Sequence, residues 1–565
     1  MIIRYIRWQL LLTAIGLALL LLMLTYISSS LEMILLPQAG GTYIEGIPAR
    51  PDNLNPLYIQ NTNQAEQDLA TLIFNGLTRA NQNGLLVPDL ATEWLISDDS
   101  RTYTFFLRDD AFWHDGTPFS AEDVAFTVAV IQDPDFTGTV PAIELWRTVD
   151  FEVVDPTTIR FTLPVEVAPF APFVSFTTFG ILPKHLLAEI PVNQLADAPF
   201  SRAPIGTGAW HLVPTDGGQI TLEPHPQYFD RQPLLQRLIL RFYDDIPSTI
   251  EALTRGEVMG VAQIQPSDLP VLLSNPALTP YSALRSGYTA IFANLRHPLF
   301  VEREVREALL LGLDRQALIR NVLNGQGVVA HSFLMPTHWA YDPSLPRYTH
   351  QPEDAKQLLE EAGWVDSDGD EILDKNGQPF EFNLLTIESD PQLVEVVEEL
   401  SRQWAELGIK AEPQVVTSAA ELRHLLKQRD FDLFVLSTPL SGLPSDPDFY
   451  PLWHSSQVTE DGGQNYTSFT SQEADLLLIE ARQTLDQERR RAIYSEFQKI
   501  LARDLPALPL YHPIYNYTVN NIVKDVQIGP LNRPTERFLT LPDWYVKIQR
   551  IVLDKGAPTP TSIRP

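Results

Sequence analysis

Cysteine is absent from all 565 residues, which removes disulfides, thiolate nucleophiles, cysteine-ligated zinc and thiol lipidation together. A tether through a lipidated cysteine is thereby excluded. Basic residues are few: 41 Lys and Arg stand against 71 Asp and Glu, a formal charge of −30. That excess repels phosphate backbones and leaves no basic stripe for nucleic acid to follow. It is read as a solubility device. No segment of about 20–50 residues recurs, which argues against solenoids and propellers. The 11 histidines form no His-Glu-x-x-His pair, and no Gly-x-Ser-x-Gly elbow occurs. No enzyme motif is found, and the chain is expected not to be an enzyme.

What is present is an ordinary globular composition, 44% apolar, 10% aromatic and 20% charged. The length exceeds what one hydrophobic core usually serves, so two lobes are expected. At the N-terminus, Arg4 and Arg7 precede an apolar run from Leu10 to Ile27, and no further basic residue occurs before Arg50. Eighteen helical residues span ~27 Å, close to the hydrocarbon thickness. The reading is a signal anchor with linker over residues 1–36; Ser28, Ser29 and Ser30 offer a cleavage site as the alternative. The body is expected outside the cytoplasmic membrane under either reading.

Between Phe380 and Ser437 short β runs alternate with amphipathic helices. Phe380 to Ile387 is a predicted strand, Leu393, Val396, Val397, Leu400, Trp404 and Leu407 mark a helix stopped by Gly408, and Ile409 to Val416 is the next strand. Ser418 and Glu421 form a capping-box pattern before a helix with Leu422, Leu425 and Leu426, followed by the strand Phe431 to Leu436. This is βαβαβ, a largely parallel sheet covered by helices. Further predicted helices carry Val301, Val305, Ala308 and Leu309 on one face, then Ala317, Leu318 and Val322, then Ala355, Leu358, Leu359 and Ala362. The first half, with Tyr103 to Leu107 and Thr158 to Leu163 as strands and many prolines, reads as mixed α+β.

Five segments in order carry a resemblance: Leu107-Arg-Asp-Asp-Ala-Phe-Trp-His-Asp-Gly-Thr-Pro-Phe-Ser-Ala-Glu-Asp-Val-Ala-Phe126, Pro204-Ile-Gly-Thr-Gly-Ala-Trp210, Val305-Arg-Glu-Ala-Leu with Asp314-Arg-Gln-Ala-Leu-Ile319, Ala355-Lys-Gln-Leu-Leu-Glu-Glu-Ala-Gly-Trp364, and Ser445-Asp-Pro-Asp448 before Trp453. Over residues 42–548 the chain resembles the peptide/nickel class of extracellular solute-binding proteins, family 5. The resemblance implies an α/β fold with a mixed α+β first lobe, the two-lobed periplasmic-binding-protein-like architecture of type II. Lobe I would take residues 40–286 and 510–548, with an extra subdomain near 76–202, and lobe II residues 287–509; 549–565 reads as a disordered tail. It further implies capture of a peptide or similar small solute between the lobes, delivery to ABC permease subunits in the membrane, a monomer, and no cofactor.

Candidate ligand residues are Asp446, Asp448, Trp453 and Arg50. In peptide-binding relatives an aspartate in this region meets the ligand's α-amino group; the position here that best matches it is Leu443, which puts peptide specificity in doubt. Asp446 could substitute or cap a turn, Trp453 could cover a ligand or fill the core, and Arg50 lies where relatives place cleft residues. Asp366, Asp368, Asp370 and Asp374 have the alternating oxygen spacing of a calcium loop, but Glu371 and Gly377 stand where glycine and a bidentate glutamate belong. His114-Asp115-Gly116 reads as a turn before a helix capped by Ser120 and Asp123. Gly206-Thr-Gly208 reads as a tight bend near the interlobe crossover, since the third glycine of a dinucleotide fingerprint is missing. The rival class is a membrane-tethered ligand sensor on the same fold; permease and ATPase genes alongside would favour transport.

Overall fold

The computed structural model describes residues 8, 13–23, 25–26, 31–60, 63–81, 85–164, 180–214, 218–438, 442–443, 446–459 and 463–554. Buried side chains form separate cores. One gathers Tyr43, Leu69, Ile73, Leu238 and Leu240 with Tyr515, Tyr517 and Trp544, and a small one beside it holds Leu253, Val258 and Val261. Two more lie wholly between residues 288 and 511, one with Leu309, Leu400 and Trp404, the other with Phe292 and Trp453.

A single twelve-stranded sheet runs through both lobes. Its central member is the strand Ala507–Asn520, in which most side chains are buried. The first half of that strand pairs with Tyr288–Ala293 and Gly327–Val329 in lobe II. Its second half pairs with Leu278–Leu284 and Gly260–Ala262 in lobe I. The lobes are therefore joined where two antiparallel strands cross, at 285–287 and 511–514. There Arg285 N donates to Pro513 O at 3.0 Å, and His512 Nδ1 bonds Gly287 O at 2.9 Å.

Lobe II follows the predicted βαβαβ. Glu381–Ile387 pairs in parallel with both Lys410–Val416 and Leu433–Thr438. The intervening helix Pro391–Ala405 buries Leu393, Val396, Val397, Leu400 and Trp404, the predicted face, and Gly408 ends that region at φ +76°. Ser418 caps Ala419–Gln428, its side chain accepting from Glu421 N at 3.1 Å. Val301 departs from expectation: it precedes the helix Arg303–Leu311 and is 60% exposed.

Lobe I places Thr42–Ile47 in parallel between Arg237–Phe242 and Gly260–Ala262. A four-stranded antiparallel sheet, Ala91–Ile96, Thr102–Leu107, Thr158–Thr162 and Asp150–Asp155, stands apart with the helix Ala121–Gln132. Two readings at the chain ends are corrected. Leu31–Gln38, within and beyond the expected linker, pairs antiparallel along its whole length with Lys547–Asp554, which extends past the expected start of the tail. Residues 555–565 lie outside the described residues. Among the described residues no helix is long and apolar enough to cross a membrane. Of the expected apolar run from Leu10 to Ile27, residues 13–23 and 25–26 are described; they are helical and expose Leu17, Leu19, Leu20, Leu21 and Leu22.

Candidate ligand-binding cleft

At the crossing of the two lobes lies a cavity of about 210 Å³. Lobe I supplies Gln263, Gln265, Tyr515 and Asn516; lobe II supplies Gln326, Asp390, Gln392, Ser437 and Thr438; Arg285, Ser286 and Gly287 form the crossing itself. The lobe II residues sit where such a sheet presents ligand sites, beyond the carboxyl ends of the parallel strands Glu381–Ile387 and Leu433–Thr438. Asp390 is the N-cap of the helix Pro391–Ala405, its carboxylate accepting from Leu393 N at 3.2 Å. Burial raises its pKa above the usual aspartate value, an effect the Arg285 charge opposes.

On the lobe I side Gln263 follows the strand Gly260–Ala262 at φ +55°, a strained conformation for a residue with a Cβ. It is held there because its amide donates to Gln64 Oε1 at 2.8 Å, and Gln64 in turn donates to Asp68 at 2.7 Å. Asp68 belongs to a wholly buried network in which Arg537 donates to both Asp68 and Glu45, while Tyr43 and Tyr517 bond the Glu45 carboxyl. Two acids face one guanidinium; burial raises the Glu45 pKa, and the Arg537 charge and the two tyrosine hydroxyls that donate to its carboxyl oppose that rise. Four polar atoms in residues of the cavity wall, Tyr288 Oη, Gln326 Oε1, Tyr515 Oη and Asn516 Nδ2, are buried without a hydrogen-bond partner among the described residues.

The sequence-derived candidates fall elsewhere. Trp453 is 1% exposed and packs among Phe292, Phe333 and Phe469, with ring centroids 6.3, 5.3 and 6.2 Å away; it is a core residue. Asp448 is held by Arg482, at 2.5 and 3.1 Å, and accepts from Tyr450 N. Arg50 is mostly exposed, with Asp244 4.0 Å away. None of the three lines the cavity. Asp446 has its backbone paired with Leu443, and its side chain lies outside the described residues. Asp366, Asp368 and Asp374 bring carboxylate oxygens within 4.8 Å of one another, without Asp370. These carboxylates already accept turn hydrogen bonds from Gly369 N, Asp370 N and Ser367 N, and Asp366 and Asp368 are exposed, as for a structural turn.

His114 has both ring nitrogens engaged by the backbone of Gly206 and Gly208, and burial drives its pKa down to about 3. Asp115 accepts from Thr117 N beside Gly116 at φ +86°, the expected turn. Gly206 and Gly208 do not make an interlobe bend: they lie against the end of the helix Gln64–Ile73, where a Cβ on Gly206 would sit 1.9 Å from Ile73 O. A second cavity, of about 130 Å³, lies entirely within lobe I and is lined by Asp89, Arg79, Tyr228 and Glu536 among others.

Residues 86–460 match the family model of bacterial extracellular solute-binding proteins, family 5 Middle. The chain belongs to that family. It is 30% identical over 487 residues to the oligopeptide-binding protein AppA of Bacillus subtilis, covering 84% of this chain and 87% of that one. The structure of that AppA in complex with a nonapeptide superposes with a TM-score of 0.69 at 26% identity, over 90% of this chain and all of the other. NikZ from Campylobacter jejuni in complex with Ni(L-His) superposes with a TM-score of 0.71 at 26% identity, over 89% and 99%. The family's members are extracellular binding proteins, and the two-lobed mixed α/β fold is theirs.

The cavity residues Arg285, Gln263 and Asp390 were not singled out from sequence. Arg285 interrupts the β-prone run Leu278-Thr-Pro-Tyr-Ser-Ala-Leu284 just before Ser286-Gly287, a charge where a strand should continue. That signal identifies it only once the crossing is known.

Proposed function

We propose that this protein is the substrate-binding component of an ABC importer, capturing a peptide or similar small solute between its lobes and presenting the closed form to membrane permease subunits. The observation that carries this reading is the polar cavity at the strand crossing, lined from both lobes. A ligand there touches both halves and so stabilises the closed arrangement over the open one. The match to an oligopeptide-binding protein over most of both chains supports the peptide class. In this reading lobe I comprises 40–286 and 510–548 and lobe II 287–509; the protein acts as a monomer, carries no resident cofactor, and is held outside the membrane by residues 1–36 as an anchor or signal. Asp446 remains the sequence-derived candidate for an amino-group contact.

Thermal unfolding of the full-length chain against short peptides, oligosaccharides and metal chelates tests this. A solute at 100 times its Kd adds ~2.7 kcal/mol to stability, so a saturable rise in Tm with peptides is expected. A rise only with another class would remove the peptide assignment, and no rise with any class would remove the importer reading.

A further inference from the structure

Three buried guanidiniums are satisfied by fixed acceptors. Arg306 donates to the carbonyls of Phe300, Val301 and Leu505, Arg315 to those of Ala330 and Pro509, and Arg537 to Asp68 and Glu45. Arg285 is different. Its side chain lines the hinge cavity and, among the described residues, makes no hydrogen bond and no ion pair. Asp390 and Tyr515 are the charged or titratable groups within electrostatic reach, and neither is bonded to it. Burial lowers its pKa, yet a guanidinium remains charged at neutral pH. A partly desolvated cation with no bonded counterion costs stability, and such a cost is tolerated where a ligand relieves it.

The backbone at this point is unusually well fixed. Arg285 N bonds Pro513 O, Ser286 N donates to Leu531 O at 2.6 Å and Leu531 N to Leu284 O at 2.8 Å. The guanidinium thus springs from a backbone fixed at the crossing of the two lobes. We infer that Arg285 is the anion anchor of the cleft, holding a carboxylate group of the transported solute in the bidentate geometry that a planar guanidinium favours. One cation faces the cavity with Asp390 on the opposite lobe, so a singly charged carboxylate is matched while a dianionic phosphate is opposed. Neutral donors and acceptors on Gln263, Ser437 and Thr438 remain for the rest of the solute. The inference rests on the binding-protein reading above and specifies the chemistry of its site.

The test uses full-length wild type, Arg285→Gln and Arg285→Lys, with trialanine, trialanine amide and Ala-Glu-Ala amide as calorimetric and thermal-shift probes. These separate a terminal carboxylate from a side-chain one. Wild type should bind at least one carboxylate probe about 10-fold to 100-fold more tightly than trialanine amide. Arg285→Gln should abolish that preference and Arg285→Lys keep part of it. Without ligand, Arg285→Gln should unfold no earlier than wild type, because it removes an unpaired charge; a large loss of apo stability would mark Arg285 as structural and overturn the assignment. Equal binding of acid and amide, or a preference unchanged in Arg285→Gln, would also overturn it. Binding of a neutral oligosaccharide with no carboxylate probe bound would do the same while leaving the importer reading intact.

Discussion

Single residues here carry three different kinds of constraint. Gly206 is one of close approach: a methyl group would overlap the Ile73 carbonyl oxygen, so Gly206→Ala is expected to destabilise lobe I by about 3 kcal/mol or more, read from chemical denaturation. Trp453 is one of packing. Trp453→Ala should cost about 3–5 kcal/mol, and its effect on ligand Kd should be no larger than that of other core truncations in lobe II. Glu536 is one of electrostatics. It lines the lobe I cavity, accepts from Asn532 N at 2.7 Å, and is raised by burial to about 7 from 4.5. Its folded pKa lies above the unfolded one, so the stability linked to it is full below about pH 4.5 and is lost as pH rises through about 7. Glu536→Gln should therefore gain Tm relative to wild type between pH 5.5 and 8.5, with the gap widening upward. A gap independent of pH would refute the assignment of that shift.

Elements differ in how far they can be read from the chain alone. The helix Pro391–Ala405 and its flanking strands were legible because period and caps coincide: Asp390 with Pro391 opens the helix, five apolar residues share a face, and Gly408 closes the unit. The ribbon of Leu31–Gln38 with Lys547–Asp554 was not, because each half is an unremarkable β run until the other end of the protein supplies its partner. The cleft was illegible for a related reason. Arg285, Asp390 and Gln263 come from separate segments, and only strand pairing brings them to one cavity. Trp453 and Asp448 drew attention by residue type, whereas burial and the Arg482 pair decide their roles. A two-stranded ribbon is marginal by itself, while Ala507–Asn520 is paired on both sides. Hydrogen exchange should show amides of 31–38 and 547–554 exchanging well before those of 507–520. Equal protection would mean that the ribbon is locked to the body.

For the whole molecule, the shared sheet makes the lobes unequal partners. Lobe II completes its own core from one continuous stretch of chain plus the start of Ala507–Asn520, whereas lobe I needs residues from both ends. A chain stopped at residue 506 should therefore leave lobe I open to protease, and limited proteolysis followed by mass spectrometry checks this. Protection of residues 42–262 in that truncated chain would contradict the dependence.

The same strand sets a timetable for synthesis. Thr42–Ile47 leaves the ribosome first among the strands of its sheet, yet Tyr517, which bonds Glu45, is made last. At about 5–20 residues per second, the roughly 470 residues between them take on the order of 25–95 seconds to translate. Throughout that interval Glu45 lacks the hydroxyl of Tyr517 that donates to it, although the strand neighbours of Thr42–Ile47 are already made. A sheet closed by its last strand thus leaves the Tyr43 and Glu45 network unfinished until Tyr517 has been made.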